Sequence, residues 1–391
     1  MNGKALKEAN DIKNYLNEIF FKIHKNPELS TQEYKTQALI LEELQKMGIE
    51  AKKIADTGVL GIIHGKNPGK TVALRADMDA LPIEEETDLL YKSKNKGVMH
   101  ACGHDAHTTI LLGAAKILSS RKDSLIGNVK LFFQPAEETI GGALRMIEEG
   151  CMENPEVDAV FFGHVSLSPK GTIAVKSGPI SADSNPFTIR FKGEGSHGCA
   201  PHKGSDVIVA ACQTVIALQT ICSRRTAPTD SIVVSIGKFN AGTISNVLPK
   251  TAEISGIMRT LNPTTRARAK EDLKQIVLGT ASAMGVDVEI DMKDGYSSTH
   301  NDVEMTDVVI NSAKKVLGEN SVKILESASM GLEDVGYFFK KSRGCYYNLG
   351  VANEEKGYTY PTHSPKFAVD PDAIVNGVAL YVQIAEDFLN S

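Results

Sequence analysis

Residues 71–79 read TVALRADMD, a run of apolar and strand-forming residues that ends in two aspartates. The same design recurs downstream. NVKLFFQP (128–135) runs into Glu137 and Glu138, and DAVFFGHV (158–165) carries His164 near its end. Between the first two runs, DAHTTILLGAAKILSS (105–120) has helical composition and spacing, with a helix expected from about Ala106 to Ser119. Working outward, VLGIIHG (59–65) is another short apolar run, and a further helix is expected around Gly142 to Glu149. On the N-terminal side Ile12, Leu16, Ile19, Phe20 and Ile23 recur at helical spacing until Asn26-Pro27 stops them, and a second helix spans about Gln32 to Met47. Fully apolar strands alternating with helices imply an α/β fold with a mixed, largely parallel sheet covered on both faces.

After SGPISADSNP (177–186) the pattern changes. Strand FTIRFKG (187–193), a helix over about Ser205 to Ser223, strands SIVVSIGKF (231–239) and TAEISGIMRT (251–260), a helix over about Pro263 to Met284 and strand VDVEIDM (286–292) follow in order. That β-α-β-β-α-β order is the order of a ferredoxin-like split βαβ unit. The expectation is therefore an inserted α+β domain at 183–294 inside a discontinuous domain made of 1–182 and 295–391.

Composition narrows the function. The chain has 391 residues, 43 Lys+Arg against 48 Asp+Glu and a net charge of -5. With no basic tract to hold a phosphate backbone, nucleic acid is not expected as a partner. Apolar runs such as VDAVFFGHV are far shorter than the roughly 20 residues of a membrane helix, so no membrane partner is expected. The N-terminal residues lack the apolar core of a secretory signal, and six cysteines lie scattered without paired short spacings. A cytoplasmic protein with reduced thiols is the expectation.

In open α/β sheets the ligand crevice lies beyond the carboxyl ends of the strands. Asp77 and Asp79, Glu137 and Glu138, and His164 should therefore converge there. MHACGHDAH (99–107) adds His100, Cys102, His104 and His107 just before a helix, a set of soft and borderline donors suited to Zn, Mn, Co or Ni. Two other readings stay open: a buried Cys beside helix-capping histidines, or Cys102 as a nucleophile with His104 as its base. The adjacent Glu137 and Glu138 fit a division of labour in which one binds metal and the other removes a proton from water; the plainer reading is a solvated helix N-terminus. His363 lies in YPTHSPKF (360–367), where two prolines stiffen the loop. A dinuclear centre needs about five protein ligands, and Cys102, His104, Glu138, His164 and His363 supply that number.

These motifs, together with LRADMDALP (74–82), GEGSHGCAPHKGSD (193–206), GTISNVLP (242–249), GIMRT (256–260) and LEDVGYF (332–338), resemble the metal-dependent aminoacylase/carboxypeptidase family M20. Within it the resemblance is to the N-acyl-amino-acid amidohydrolases, hippurate hydrolases and auxin-conjugate hydrolases, and it runs from HKNPELSTQEYKT (24–36) to the C-terminus. It implies a zinc-peptidase-like catalytic domain and an inserted lid that forms a homodimer. It also implies two divalent metal ions on Cys102, His104, Glu138, His164 and His363, with Cys102 bridging. Glu137 matches the general base, and Asp79 the carboxylate that orients a ligand. Asp77 stands where other branches carry a metal-binding His. His197 matches a lid histidine that steadies the oxyanion, from its own subunit or its neighbour's, while Asn246 and Arg259 match positions that hold the substrate's carboxylate. The chain departs from the family after His164, where HVSLSPKG has no Trp-Pro, in the hinge DGYSST, and at Glu333-Asp334-Val335. The expected activity is hydrolysis of N-acyl amino acids; the alternatives are a dipeptidase or carboxypeptidase acting on small peptides, and a binding protein without catalysis.

Overall fold

The structure is a computed structural model and describes residues 3–391. The chain divides into two compact units, one made of Met1–Gly178, His300–Ser327 and Asp334–Ser391, the other of Pro179–Thr299 and Ala328–Glu333.

The first unit is built on an eight-stranded sheet. From one edge to the other its strands are Glu50–Ile54, Gly58–His64, Ile126–Gln134, Asn67–Asp77, Ala159–Pro169, Arg343–Ala352, Ile173–Val175 and Val322–Ile324. The four strands from Ile126–Gln134 to Arg343–Ala352 run parallel, and Asp77 pairs with Gln134 at the ends of neighbouring strands. Alternation along each strand explains the two-faced core. Val72, Leu74, Val129, Leu131, Phe133 and Phe161 face one cluster with residues of helices Lys13–His24, His104–Ser120 and Pro371–Leu389. Ala73, Phe132, Val160 and Phe162 point the opposite way, onto helix Gly142–Glu148 and the turn at Gly336–Phe339. A strand buried on both faces admits a polar residue in its middle only with its hydrogen bonds satisfied, as for Arg75 and Lys130, and the acidic side chains collect at and beyond the strand ends.

The helix expected to start near Ala106 starts at His104. Gly103 takes φ +85, and a Cβ there would lie 2.4 Å from Val165 Cγ2. Only glycine admits this left-handed turn against a neighbouring strand, and it makes His104 the first helical residue.

The second unit carries a four-stranded antiparallel sheet in the order Ile232–Ala241, Thr251–Thr260, Asn185–Lys192, Asp287–Met292. Helices Val207–Leu218 and Pro263–Met284 share its core, where Ile189, Ile254, Ala211, Leu273 and Val277 meet. Asp206 caps the first helix through its carboxylate and Asn262 caps the second. Residues 207–225 are more apolar than the runs that argue against a membrane: by length and composition alone they could cross one, and a third of that stretch is buried here. The unit also takes in Ala328–Glu333, which the sequence leaves with the other domain. Ser329 N–H donates to Ile180 O at 2.9 Å and Ala182 N–H to Gly331 O at 3.0 Å, a strand-like pairing between segments about 150 positions apart that no local pattern announces.

Candidate metal centre

Five donors of the first unit converge. Cys102 Sγ lies 3.4 Å from His164 Nε2, His104 Nε2 lies 3.9 Å from Glu138 Oε1, and His363 Nε2 approaches the same oxygen at 3.3 Å. They form two triads, Cys102/His104/His164 and Cys102/Glu138/His363, each with its ligand atoms within 4.8 Å of one another, and the two triads share Cys102. Glu137 joins His104 and Glu138 in a third group on the same criterion. Burial grades across the site: His104 is 1% exposed and Cys102 8%, while the His363 side chain is 54% exposed. The open side is therefore the loop of His363.

The tautomers are set by partners behind the rings. His104 Nδ1 contacts Asp79 Oδ1 at 3.1 Å, and Asp79 Oδ2 accepts from the Ser30 hydroxyl at 2.6 Å and from Glu138 N–H at 3.0 Å. His164 Nδ1 donates to the Val165 carbonyl at 2.7 Å. In each case Nδ1 is held from behind and Nε2 is the nitrogen turned toward Cys102 or Glu138, the arrangement by which a ligating imidazole is oriented.

His107 behaves differently. Its Nε2 accepts Val165 N–H at 2.9 Å, and its Nδ1 lies 2.6 Å from Asp77 Oδ1. Both nitrogens are used, so His107 is a strut that ties the helix to two strands, not a donor for a cation. Burial lowers its pKa to about 4 against the pull of Asp77, which keeps the ring neutral. His100 is buried with both ring nitrogens lacking a hydrogen-bond partner, and burial brings it to about 4 as well. Of the four donors in MHACGHDAH, the structure turns two toward the cluster and two away.

The donor set fits a divalent cation. His104 Nε2 is buried without a hydrogen-bond partner and faces Glu138 Oε1 at 3.9 Å, an oxygen that His363 Nε2 also approaches at 3.3 Å, and buried donors gathered this way are costly unless a positive charge lies among them. The local field has the sign such a charge requires. Burial alone would lower His104, yet Asp77 and Cys102 hold it well above the usual imidazole range. Contacts with Cys102 and Glu138 raise His363 to about 10. Burial pushes the Cys102 thiol up, but His164 and His104 outweigh it and bring it to about 6, so the sulfur is available as thiolate. Thiolate, imidazole and carboxylate together select a transition metal over Mg or Ca.

Beneath the cluster lies a buried hub that the sequence reading missed. Arg75 donates to Asp77 Oδ2 at 2.8 Å, to Asp334 Oδ1 at 3.0 Å and to Gln134 Oε1 at 3.0 Å, with its guanidinium 4.1 Å from the centre of the Phe162 ring. Asp334 also accepts Ala143 N–H at 3.0 Å. A fully buried Arg is tolerable only with its donors satisfied; here it ties two strand ends, at Asp77 and Gln134, to Asp334, which in turn holds the start of a helix. The signal was present as a single charged residue in the middle of an apolar strand.

His197, Asn246 and Arg259 belong to the second unit. Val247 pairs with His197 in a two-stranded ribbon, and Gly198 N–H donates to Asn246 O at 2.8 Å, so the fold brings His197 and Asn246 side by side, both exposed. Arg259 is half-buried near the end of its strand and donates through Nη1 to Met330 O at 2.6 Å.

Residues 73–387 match the profile of Peptidase family M20/M25/M40. The chain is 42% identical over 393 residues to thermostable carboxypeptidase 1 of Saccharolobus solfataricus, covering 99% of this chain and 98% of that one. It is 38% identical over 384 residues to the hippurate hydrolase of Campylobacter jejuni, covering 98% of each. Among solved structures it is similar to the Bacillus subtilis YXEP protein, described as a dinuclear metal binding peptidase, with a TM-score of 0.86, 32% identity and coverage of 97% and 99%.

Proposed function

The chain belongs to peptidase family M20/M25/M40 and is a metal-dependent hydrolase, and on that premise we propose that it cleaves the amide bond of N-acyl amino acids. Acetyl, benzoyl and similar acyl groups would leave as carboxylic acids, with release of the amino acid. The observation that carries this reading is the pair of donor triads meeting at Cys102, with Glu137 beside them. Two divalent ions (Mn, Zn, Co or Ni) held by Cys102, His104, Glu138, His164 and His363 would supply Lewis-acid polarisation of the amide carbonyl and a lowered pKa for water.

The chain's own residues do the rest. Glu137, buried at 8% exposure, takes a proton from the attacking water and returns it to the amide nitrogen, so that the poor leaving group departs as a neutral amine. Asp79 holds the Nδ1 proton of His104 and keeps Nε2 turned inward. The lid residues act on the substrate: His197 donates to the oxygen that gains charge, and Arg259 and Asn246 take the amino acid's carboxylate, with Arg259 fixed by the Met330 carbonyl.

Two copies pair through the second unit in this reading. The outer face of helix Val207–Leu218 leaves Val209 46% and Ile216 65% exposed, and Phe239 is 41% exposed on the outermost strand of the four-stranded sheet. Apolar surface of this kind beside an unpaired strand edge is the material of a homodimer interface.

A second reading, a carboxypeptidase or dipeptidase on short peptides, is favoured by the 42% identity to thermostable carboxypeptidase 1. The separating experiment compares N-acetyl-amino acids, N-benzoyl-amino acids and free dipeptides as substrates, with chelator and with added Mn, Zn or Co. Acyl substrates hydrolysed fastest, with chelator inactivation reversed by metal, supports the amidohydrolase. Preference for free dipeptides supports the second reading, and full substrate recovery under every metal condition contradicts both.

A further inference from the structure

We propose that Glu33 is a positioning residue for the base: it clamps the Pro135–Ala136 peptide, one residue before Glu137, and so sets where that carboxylate points. The proposal rests on the reading of Glu137 as the base. Glu33 is fully buried, with Oε1 accepting Ala136 N–H at 2.8 Å and Oε2 accepting the Thr57 hydroxyl at 2.6 Å. Ala136 stands at φ +55, a left-handed conformation that a residue with a Cβ holds only when its surroundings impose it. One residue past the base, Glu138 N–H is held by Asp79 Oδ2, which also accepts the Ser30 hydroxyl. Glu137 therefore sits between two anchored peptides, and both anchors trace back to one turn, Ser30 to Glu33, itself kinked at Thr31 with φ +67.

The need for a clamp is visible on the far side of the loop. A cavity of about 280 Å³ lies there, lined among others by Thr31, Asp56, Thr57, Ala136 and Ile140. A strained loop beside free volume has somewhere to relax. With both carboxylate oxygens engaged, one on the loop and one on Thr57, Glu33 prevents it. Glutamine can replace this geometry: its carboxamide oxygen accepts Ala136 N–H and its amide group donates to Thr57 Oγ1. Alanine cannot.

The test uses the metal-loaded full chain as wild type, Glu33→Ala, Glu33→Gln, Thr57→Val and Glu137→Gln, with metal content, kcat, KM and amide hydrogen exchange of the peptide spanning residues 133–141 measured for each. A misplaced catalytic group costs about 10²-fold in rate, so Glu33→Ala is expected to lower kcat by that order, with KM and metal content within about twofold of wild type. Exchange in residues 133–141 should accelerate. Glu33→Gln should stay within about threefold of wild-type kcat, and Thr57→Val, which removes only the outer tether, should fall between the two alanine and glutamine results. Wild-type kcat in Glu33→Ala, or Glu33→Gln as slow as Glu33→Ala, or unchanged exchange in residues 133–141, overturns the clamp. If Glu33→Ala fails to fold, Thr57→Val decides, and its behaving as wild type in both kcat and exchange overturns the proposal. An inactive Glu137→Gln beside a fully active Glu33→Ala defeats the clamp alone. A fully active Glu137→Gln defeats the reading of the base, and the exchange result then judges the clamp.

Discussion

The donor cluster of the first unit and the His197 ribbon of the second are built on opposite plans. In the cluster the rings of His104 and His164 each have a partner behind them, Asp79 and the Val165 carbonyl, with Ser30 behind Asp79 in turn and Arg75 bonded to Asp77. In the ribbon the backbone is paired and the side chains of His197 and Asn246 stand exposed, His197 Nδ1 accepting the nearby Cys199 N–H at 3.1 Å. The first plan fixes lone pairs before anything arrives, which is what holding ions requires. The second leaves its side chains in solvent.

The contrast predicts that substitutions in the two regions separate by what they change. The largest loss is expected from Glu137→Gln, about 10²- to 10⁴-fold in kcat, with metal content unchanged by mass spectrometry; full activity would remove the base from the cluster. Next, His197→Ala should lower kcat by about 10²-fold while the melting temperature and metal content stay at wild-type values, because the side chain is exposed. A fall in metal content there would erase the distinction between the regions. Asp79→Ala should act on the ions instead, weakening metal retention by about 10- to 10²-fold in a chelator competition, since His104 would lose the partner that fixes its tautomer.

The smallest expected effect on activity concerns the footing of the cluster. His24 lies buried with Nδ1 2.6 Å from Asp105, one residue past His104, and its Nε2 3.4 Å from Glu85. Burial lowers its pKa, but Asp105 and then Glu85 outweigh this and raise it to about 9. A group raised in the folded state from an ordinary value of about 6.5 stabilises fully below that pH and loses its contribution as pH rises through about 9, a term of roughly 3 kcal/mol. Thermal unfolding between pH 6 and 10 should show the loss in wild type, and His24→Gln should be less stable at pH 6 and flatter with pH. Parallel curves for the two proteins would show that the pair carries no such charge.

Much of this was legible beforehand, for a physical reason. Apolar strands that stop abruptly at Asp77 and Asp79, or continue into Glu137 and Glu138, advertise both the parallel sheet and the crevice at its ends, and helix Pro263–Met284 begins and ends where the sequence places it. His107 was not separable from His104 by composition. Three positions apart on one helix, they differ in their partners: Val165 N–H and Asp77 take both nitrogens of His107, while Asp79 takes one of His104. Arg75, Gln134 and Asp334 come together from segments as much as 259 positions apart, and Glu33 reaches Ala136 across 103. Periodicity reports which face a residue occupies, not which distant partner meets it there. The pairing of Ala328–Glu333 with the second unit is hidden for the same reason.

The most direct test of the dinuclear reading is the metal stoichiometry of the loaded chain beside that of Cys102→Ala, by mass spectrometry on material freed of loosely held ions. A centre in which Cys102 serves both triads predicts about two ions per chain in wild type and loss of both sites' retention in the variant. A single ion in wild type, or two ions kept by Cys102→Ala, would contradict it.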